Sequence, residues 1–154
     1  MENASYVTGF VDGEGCFSIS FSLRKKMKYG IEVRPSFSVS QHKRNKEIVE
    51  FFQKYFSCGS VRFLKRDQNY KFEVRSIKDL VQKIIPHFKQ CPLKTSKRED
   101  FEKFSQVCEL IDSNHHLNQS GLIKIIVLAT SMNEAGQRRI SKKELLRKVN
   151  KMNA

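Results

Sequence analysis

Acidic residues are scarce in this sequence, and so are the signals of several common protein classes. Against 29 Lys and Arg stand only 16 Asp and Glu, a net charge of +13 over 154 residues, with an isoelectric point near 9.8. A field of that sign concentrates polyanions, of which nucleic acid is the commonest for a soluble protein; an acidic membrane surface or a merely basic exterior are the other readings. The four cysteines, Cys16, Cys58, Cys91 and Cys108, include no CxxC pair. Neither a cysteine-rich metal site nor a disulfide scaffold is indicated, and reduced thiols are expected. The longest apolar run, residues 122–129, is interrupted by Lys124 and is too short to span a bilayer. The first six residues lack the basic-then-apolar layout of a signal peptide, so membrane insertion is not expected. With no low-complexity tract and no Gly/Ser linker, a single domain over 1–154 is expected: a core over about 4–112 and a basic helical extension over about 117–154.

What is present is strongly periodic. A short helix is expected from Ser5 through Tyr6, Val7, Phe10 and Val11, ended by Gly13 and Gly15. Strict alternation then places Phe17, Ile19, Phe21 and Leu23 on one face of a strand. After a basic turn the same face is taken up by Ile31, Val33, Phe37 and Val39, which reads as a long antiparallel hairpin. Asn45 is placed to cap a helix carrying Ile48, Phe51, Phe52, Tyr55 and Phe56. In a second hairpin Val61, Phe63, Tyr70, Phe72 and Val74 point inward. Ser76 with Asp79 predicts a cap for a helix over 77–85 that stops at Pro86. Ser96 with Glu99 opens another, 122–132 is helical and buried, and Ser141 with Glu144 opens a basic terminal helix. His87 reads as a surface residue, and Arg138 as part of a basic tail that is solvated or grips phosphate. The order helix, hairpin, helix, hairpin, helices is an α+β layout.

Both hairpins leave one face polar and basic. On it fall Ser18, Ser20, Ser22, Ser36, Ser38 and Ser40, interleaved with Arg24, Arg34, Arg62, Lys71 and Arg75, with Glu32 and Glu73 the only acids; of the two acids Glu73 is expected, with these serines and cations, to contact DNA. Serine is a poor strand former, so six on one face are not there to stabilise the sheet. A two-stranded ribbon fits the major groove, where Arg bridges guanine O6 and N7 and Ser serves either donor or acceptor edges. Lys26 and Lys28 in the hairpin turn fall where phosphates would lie.

The segment Val7-Thr8-Gly9-Phe10-Val11-Asp12-Gly13-Glu14-Gly15 resembles the motif that names the LAGLIDADG homing endonucleases. It departs in several letters but keeps small residues four apart, an acid, a small residue, a second acid and a glycine. The element order over about 4–112, the Val39-Ser40-Gln41 strand end and the Pro-Leu-Lys-Thr-Ser-Lys stretch at 92–97 are similar to that family too. The resemblance implies the family's αββαββα fold and duplex DNA as the partner, with no membrane and no small-molecule substrate. It also implies Mg²⁺ or Mn²⁺ as cofactor, with Ca²⁺ as a non-cleaving substitute, and short 3′ overhangs.

Only one motif copy is present, so the resemblance implies a homodimer whose interface holds Val7, Gly9, Phe10, Asp12 and Gly13. Gly9 and Gly13, four apart, lie on one helix face and let a second helix approach closely. By resemblance Glu14 is the metal-binding acid, with Gly13 beside it, and two Glu14 side chains near the axis would repel unless a dication sat between them. Gln41 and Lys94 correspond to the family's water-positioning glutamine and active-site lysine, with Lys97 as the fallback for the latter. An RNA-splicing cofactor or a non-cleaving DNA-binding regulator on the same fold are the alternatives. The family's habit and a Lys-, Asn-, Ile- and Phe-rich composition point to an organellar gene.

Overall fold

The computed structural model describes residues 2–132 and 138–151. The chain runs α1 (Glu2–Glu14), β1 (Gly15–Leu23), β2 (Ile31–His42), α2 (Lys46–Phe56), β3 (Ser60–Leu64), β4 (Asn69–Val74), α3 (Ile77–Asp79), α4 (Ile85–Gln90), α5 (Lys97–Asp112), α6 (Gln119–Thr130) and α7 (Lys142–Lys151). The strands form one sheet in the order β1-β2-β4-β3, with β2 and β3 each antiparallel to β4. The expected α+β class and element order are met. Packing divides the chain into two compact units, Met1–Phe17 with Ser36–Arg98 and Ser18–Pro35 with Glu99–Ala154.

The first unit has an aromatic core. Alternation along β2 turns Phe37 and Val39 to one side, and helical spacing sets Val49, Phe52 and Phe56 on one face of α2. The Phe37 ring meets Phe17 at 5.1 Å, Phe88 at 5.7 Å and Phe72 at 6.2 Å. Each such buried ring contributes about 1.5–3 kcal/mol by burial, and edge-to-face pairing adds about 0.5–1.5 kcal/mol. Pro35 is tolerated in β2 because the ladder to β4 begins only at Phe37, so its missing N–H breaks no bond there. Phe63, expected inside, is 41% exposed. It lies on the edge strand β3 and packs on Tyr70 with centroids 5.0 Å apart.

The helix after β4 does not stop at Pro86. Ser76 caps α3, its hydroxyl accepting the Asp79 N–H at 3.3 Å. A wide π turn over Leu80–Ile84 then leads directly into α4, which contains Pro86. Proline offers no N–H and crowds the carbonyl four residues back; a widened turn relieves that clash. Burial of Leu80, Ile84, Ile85 and Phe88 offsets the lost bond.

In the second unit Tyr29, Ile31, Leu122, Ile126, Leu145 and Val149 form one buried cluster. Glu144 donates its N–H to the Ser141 hydroxyl at 3.2 Å, capping α7. The β1–β2 turn closes through Arg24 N–H to the Gly30 carbonyl at 2.9 Å, with Gly30 at φ +69°, where side chains other than glycine's are strained. Arg138 is not a solvated tail residue. Its guanidinium donates to the Ile19 carbonyl at 2.6 Å and to the Ala129 carbonyl, and sits over the Phe21 ring. No helix among the described residues is long and apolar enough to cross a membrane.

Candidate active site and nucleic-acid interface

The first unit brings Glu14, Asp12, Gln41 and the 92–97 loop to the C-terminal end of α1. Glu14 is the last residue of the helix and is exposed. Gln41, from the end of β2, donates through Nε2 to Glu14 Oε2 at 3.4 Å, and its Oε1 accepts from Asn45 Nδ2 at 3.3 Å. Asn45 holds the N-cap position of α2 but makes no side-chain cap bond. Its amide is used to orient Gln41 instead, a role the local cap pattern conceals.

Asp12 fastens the loop. Its Oδ2 accepts from Lys94 N–H at 2.8 Å, and its Oδ1 accepts from Thr95 N–H at 3.1 Å and from the Thr95 hydroxyl at 2.6 Å. Partial burial would raise this carboxyl, but the Thr95 hydroxyl and the Lys94 and Thr95 amides hold it below its ordinary value. The two candidate lysines differ. Lys97 Nζ donates to the Val11 carbonyl at 2.9 Å, closing the end of α1. Lys94 is exposed, with its backbone fixed by Asp12.

Along α1, Val7 and Val11 have no accessible surface and pack inward. Phe10 is half-buried, its ring 5.4 Å from Phe52. Gly9 and Gly13 are exposed, and a Cβ added at either would meet nothing within 4 Å. Thr8, which sequence reasoning passed over, anchors the helix. It donates to the Cys91 carbonyl at 2.9 Å and meets His87 Nε2 at 3.0 Å, while His87 Nδ1 meets the Tyr55 hydroxyl at 3.1 Å. Since the Thr8 proton goes to Cys91, Nε2 carries the imidazole hydrogen and Nδ1 accepts from Tyr55. His87 is therefore a half-buried, neutral link, not a surface residue, and burial lowers its pKa.

Among the described residues no three His, Cys, Asp or Glu cluster to hold a metal. At the end of α1 one chain offers one exposed carboxylate, Glu14. Oxygen donors there, at the negative end of the helix dipole, suit a hard dication, but they make half a set.

The polar sheet face is built around its two acids. In the first unit Glu73 is 8% exposed, and Ser36 and Ser38 are buried beside it at 8% and 9%. Ser40 is half-buried. Glu73 takes ion pairs from Arg62, Lys71 and Arg75, each at 3.3 Å. Its desolvation is outweighed by the Ser36 hydroxyl and the Lys71 ammonium, so its pKa is lowered. In the second unit Glu32 pairs with Arg24 at 3.1 Å and Arg34 at 3.3 Å and accepts from Ser22 at 3.3 Å. Ser20 donates to the Arg34 carbonyl at 3.3 Å. Ser18 is half-buried, and Lys26 and Lys28 are exposed in the turn.

The profile of the LAGLIDADG endonucleases matches residues 7–108. The homing endonuclease I-TnaI has a solved structure that superposes with a TM-score of 0.83 at 36% identity, covering 97% of both chains. I-SmaMI, solved on uncleaved DNA in the presence of calcium ions, gives a TM-score of 0.84 at 32% identity, over 89% of this chain and 46% of its own. A probable intron-encoded endonuclease of Neurospora crassa is 34% identical over 128 residues, which is 83% of this chain but 27% of that protein. The chain thus spans about a quarter of that relative. The protein belongs to the LAGLIDADG endonuclease family.

Proposed function

We propose that the chain is a sequence-specific endonuclease acting on duplex DNA, working as a homodimer with Mg²⁺ or Mn²⁺, encoded by an organellar intron. The observation that carries this reading is the end of α1: an exposed Glu14 oriented by Gln41, on a helix whose Gly9 and Gly13 face open space. Two copies of α1 meeting at those glycines, with Phe10 and Asp12 at the margins and Val7 behind them, bring two Glu14 carboxylates and the Gly13 carbonyls together. That pair completes the half set of oxygen donors found on one chain. The match to 46% of I-SmaMI is the share that one of two such halves would take.

A dication bound there supplies charge neutralisation and a more acidic water. Gln41, whose amide Asn45 holds in place beside Glu14, would orient an attacking water. Lys94 offers a positive charge to the phosphate oxygens as negative charge builds on them. Serines and cations of the sheet face (Ser18, Ser20, Ser22, Arg24, Lys26, Lys28 and Arg34 in one unit, Ser40, Arg62, Lys71 and Arg75 in the other) contact bases and phosphates, while Ser36 and Ser38, expected among them, are buried and Ser36 donates to Glu73. The two units serve as one endonuclease domain. Each subunit covers about one helical turn, giving a roughly palindromic site of about 20 base pairs, cut to leave short 3′ ends.

The test is selection of cleaved sites from a random duplex library with Mg²⁺. A single long site of approximate twofold symmetry is expected. Cleavage unaffected by chelator, or a protein that stays a single subunit on its DNA, overturns the reading.

A further inference from the structure

Glu73 is the one acid on the first unit's half of the polar sheet face, and it is the most enclosed charged group there. The strand register explains why. Glu73 in β4 lies directly opposite Ser38 of β2 and Ser60 of β3. Lys71 flanks it two residues away on the same face of β4, Arg75 follows just past the end of the strand, and Arg62 and Ser36 sit on its diagonals. Arg62 and Lys71 face each other across the β3–β4 ladder, a like-charge pair that is unfavourable unless an anion stands between.

The occupancy of its oxygens decides its role. An ionised carboxylate has about four lone-pair positions. On Glu73 Oε1 falls Arg62 Nη2 at 3.3 Å and Arg75 Nε at 3.3 Å. On Oε2 falls the Ser36 hydroxyl at 2.7 Å and Lys71 Nζ at 3.3 Å. The Ser36 contact is a hydrogen bond and the three cations are ion pairs packed about the carboxylate, with 8% of the residue exposed. Burial and three crowding cations close the carboxylate to a base amine, so Glu73 does not read cytosine directly, the usual function of an acid in the major groove. Its cations, by contrast, keep donors to spare. Arg75 is held through Nε, which leaves its two terminal nitrogens as a fork of the kind that spans guanine O6 and N7. Glu32, in the second unit, is different: Arg24, Arg34 and Ser22 crowd Oε2, while Oε1 has only Arg24 Nη1 at 3.5 Å.

We infer that Glu73 is a positioning residue that determines base specificity: it gathers Arg62, Lys71 and Arg75 into one fixed constellation before DNA arrives and keeps them from acting as independent phosphate grips. Three long cationic side chains left to themselves would follow the phosphates, which lie everywhere along a duplex and carry no sequence. Tied to one carboxylate, they present a few donors at set positions and surrender one unit of charge. Affinity for arbitrary DNA falls, and discrimination between base pairs rises.

The inference rests on the endonuclease reading, so wild type and variants are run side by side. Wild-type protein first selects its site from a random duplex library with Mg²⁺. The Glu73→Gln and Glu73→Asp variants are then given every single-base substitution of that site, and binding to a random-sequence duplex is followed against salt. For Glu73→Gln, base preference is expected to flatten by about tenfold over one short run of base pairs in each half-site, with preference elsewhere kept. The log-affinity against log-salt slope steepens by about one as a cation is released to phosphate. Glu73→Asp, which keeps the charge but has shorter reach, shows the same local flattening to a smaller degree and does not require Gln to be tolerated at a buried position. An unchanged preference profile in both variants, or a loss of affinity equal at every sequence, as a merely structural role would give, overturns the inference. Should the wild type select no site, the endonuclease reading fails, and this inference with it.

Discussion

The Asp12 carboxylate and the Thr95 hydroxyl lie 2.6 Å apart, and that bond ties the end of the motif helix to the loop that carries Lys94. Asp12 thus works by holding backbone. The acid two residues later is the one left open to solvent.

Asp12→Asn should therefore damage both stability and activity. The amide nitrogen cannot accept, so either the Lys94 N–H or the Thr95 hydroxyl loses its partner. A loss of about 1–2 kcal/mol is expected in urea unfolding, with cleavage slowed about 10- to 100-fold, as when support is removed from a neighbouring site residue. Because the Asp12 pKa is lowered in the fold, its contribution is complete above the ordinary carboxylate range and fades as pH falls below about 4.

Glu14→Gln separates binding from cutting. The variant should shift duplex DNA in gels as wild type does, in Ca²⁺, while plasmid cleavage in Mg²⁺ falls below detection. Asn45→Ala, which frees the Gln41 amide, should slow cleavage by about tenfold and leave the gel shift alone. Normal cleavage by Glu14→Gln would remove it from the reaction.

Gly9→Leu gives opposite signs for two measurements. In a single chain a Cβ at this position meets nothing within 4 Å, and replacing glycine inside an exposed helix favours folding by about 1 kcal/mol. In the proposed pair the same side chain stands where the partner helix must approach. Sedimentation should show a single subunit and cleavage should vanish, while the melting point of dilute protein holds or rises. A dimeric, active variant would move the seam elsewhere.

His87 predicts how stability responds to mild acid. Its pKa is lowered by burial, so below about pH 6.5 the unfolded chain takes up a proton that the folded chain refuses. Stability then falls from about pH 6.5 downward and levels off below the folded-state value. Protonation also costs the bond from Tyr55, since Nδ1 can no longer accept. Thermal melts of wild type from pH 7.5 to 5 should show this decline, and His87→Gln should flatten it.

Much of the fold was readable because it rests on short-range rules. Alternation marked the faces of β2, of β4 and of β1 up to its end, where Leu23, expected inside, is 53% exposed; the spacing of Ile48, Phe51, Phe52, Tyr55 and Phe56 marked α2, of which the core takes Phe52 and Phe56 together with Val49. Where local rules failed, packing across the chain had outvoted them. Pro86 ought to end a helix, yet burial of Ile85 and Phe88 carries the helix through it on a π turn. Asn45 sits where a cap belongs, yet Gln41 claims its amide. Strand parity put Glu73 on the polar face, but it takes the register of three strands to bring four donors to that carboxylate. The candidate site followed the same division: Glu14 and Gln41 stood out as chemistry, whereas Thr8, His87 and Tyr55 became visible only as a connected chain.

The turn between β1 and β2 has a practical bearing on redirecting the protein to new sequences. Gly30 is held at positive φ, and Tyr29 and Ile31 on either side of it are buried with Leu145 and Val149 of α7. The tip is therefore bolted down at its base, while Lys25, Lys26 and Lys28 are exposed on it, Lys28 with its ammonium 5.3 Å from the centre of the Tyr29 ring. Those three positions form a cassette that can be randomised in a library without repacking the scaffold, provided residues 29–31 are carried through unchanged.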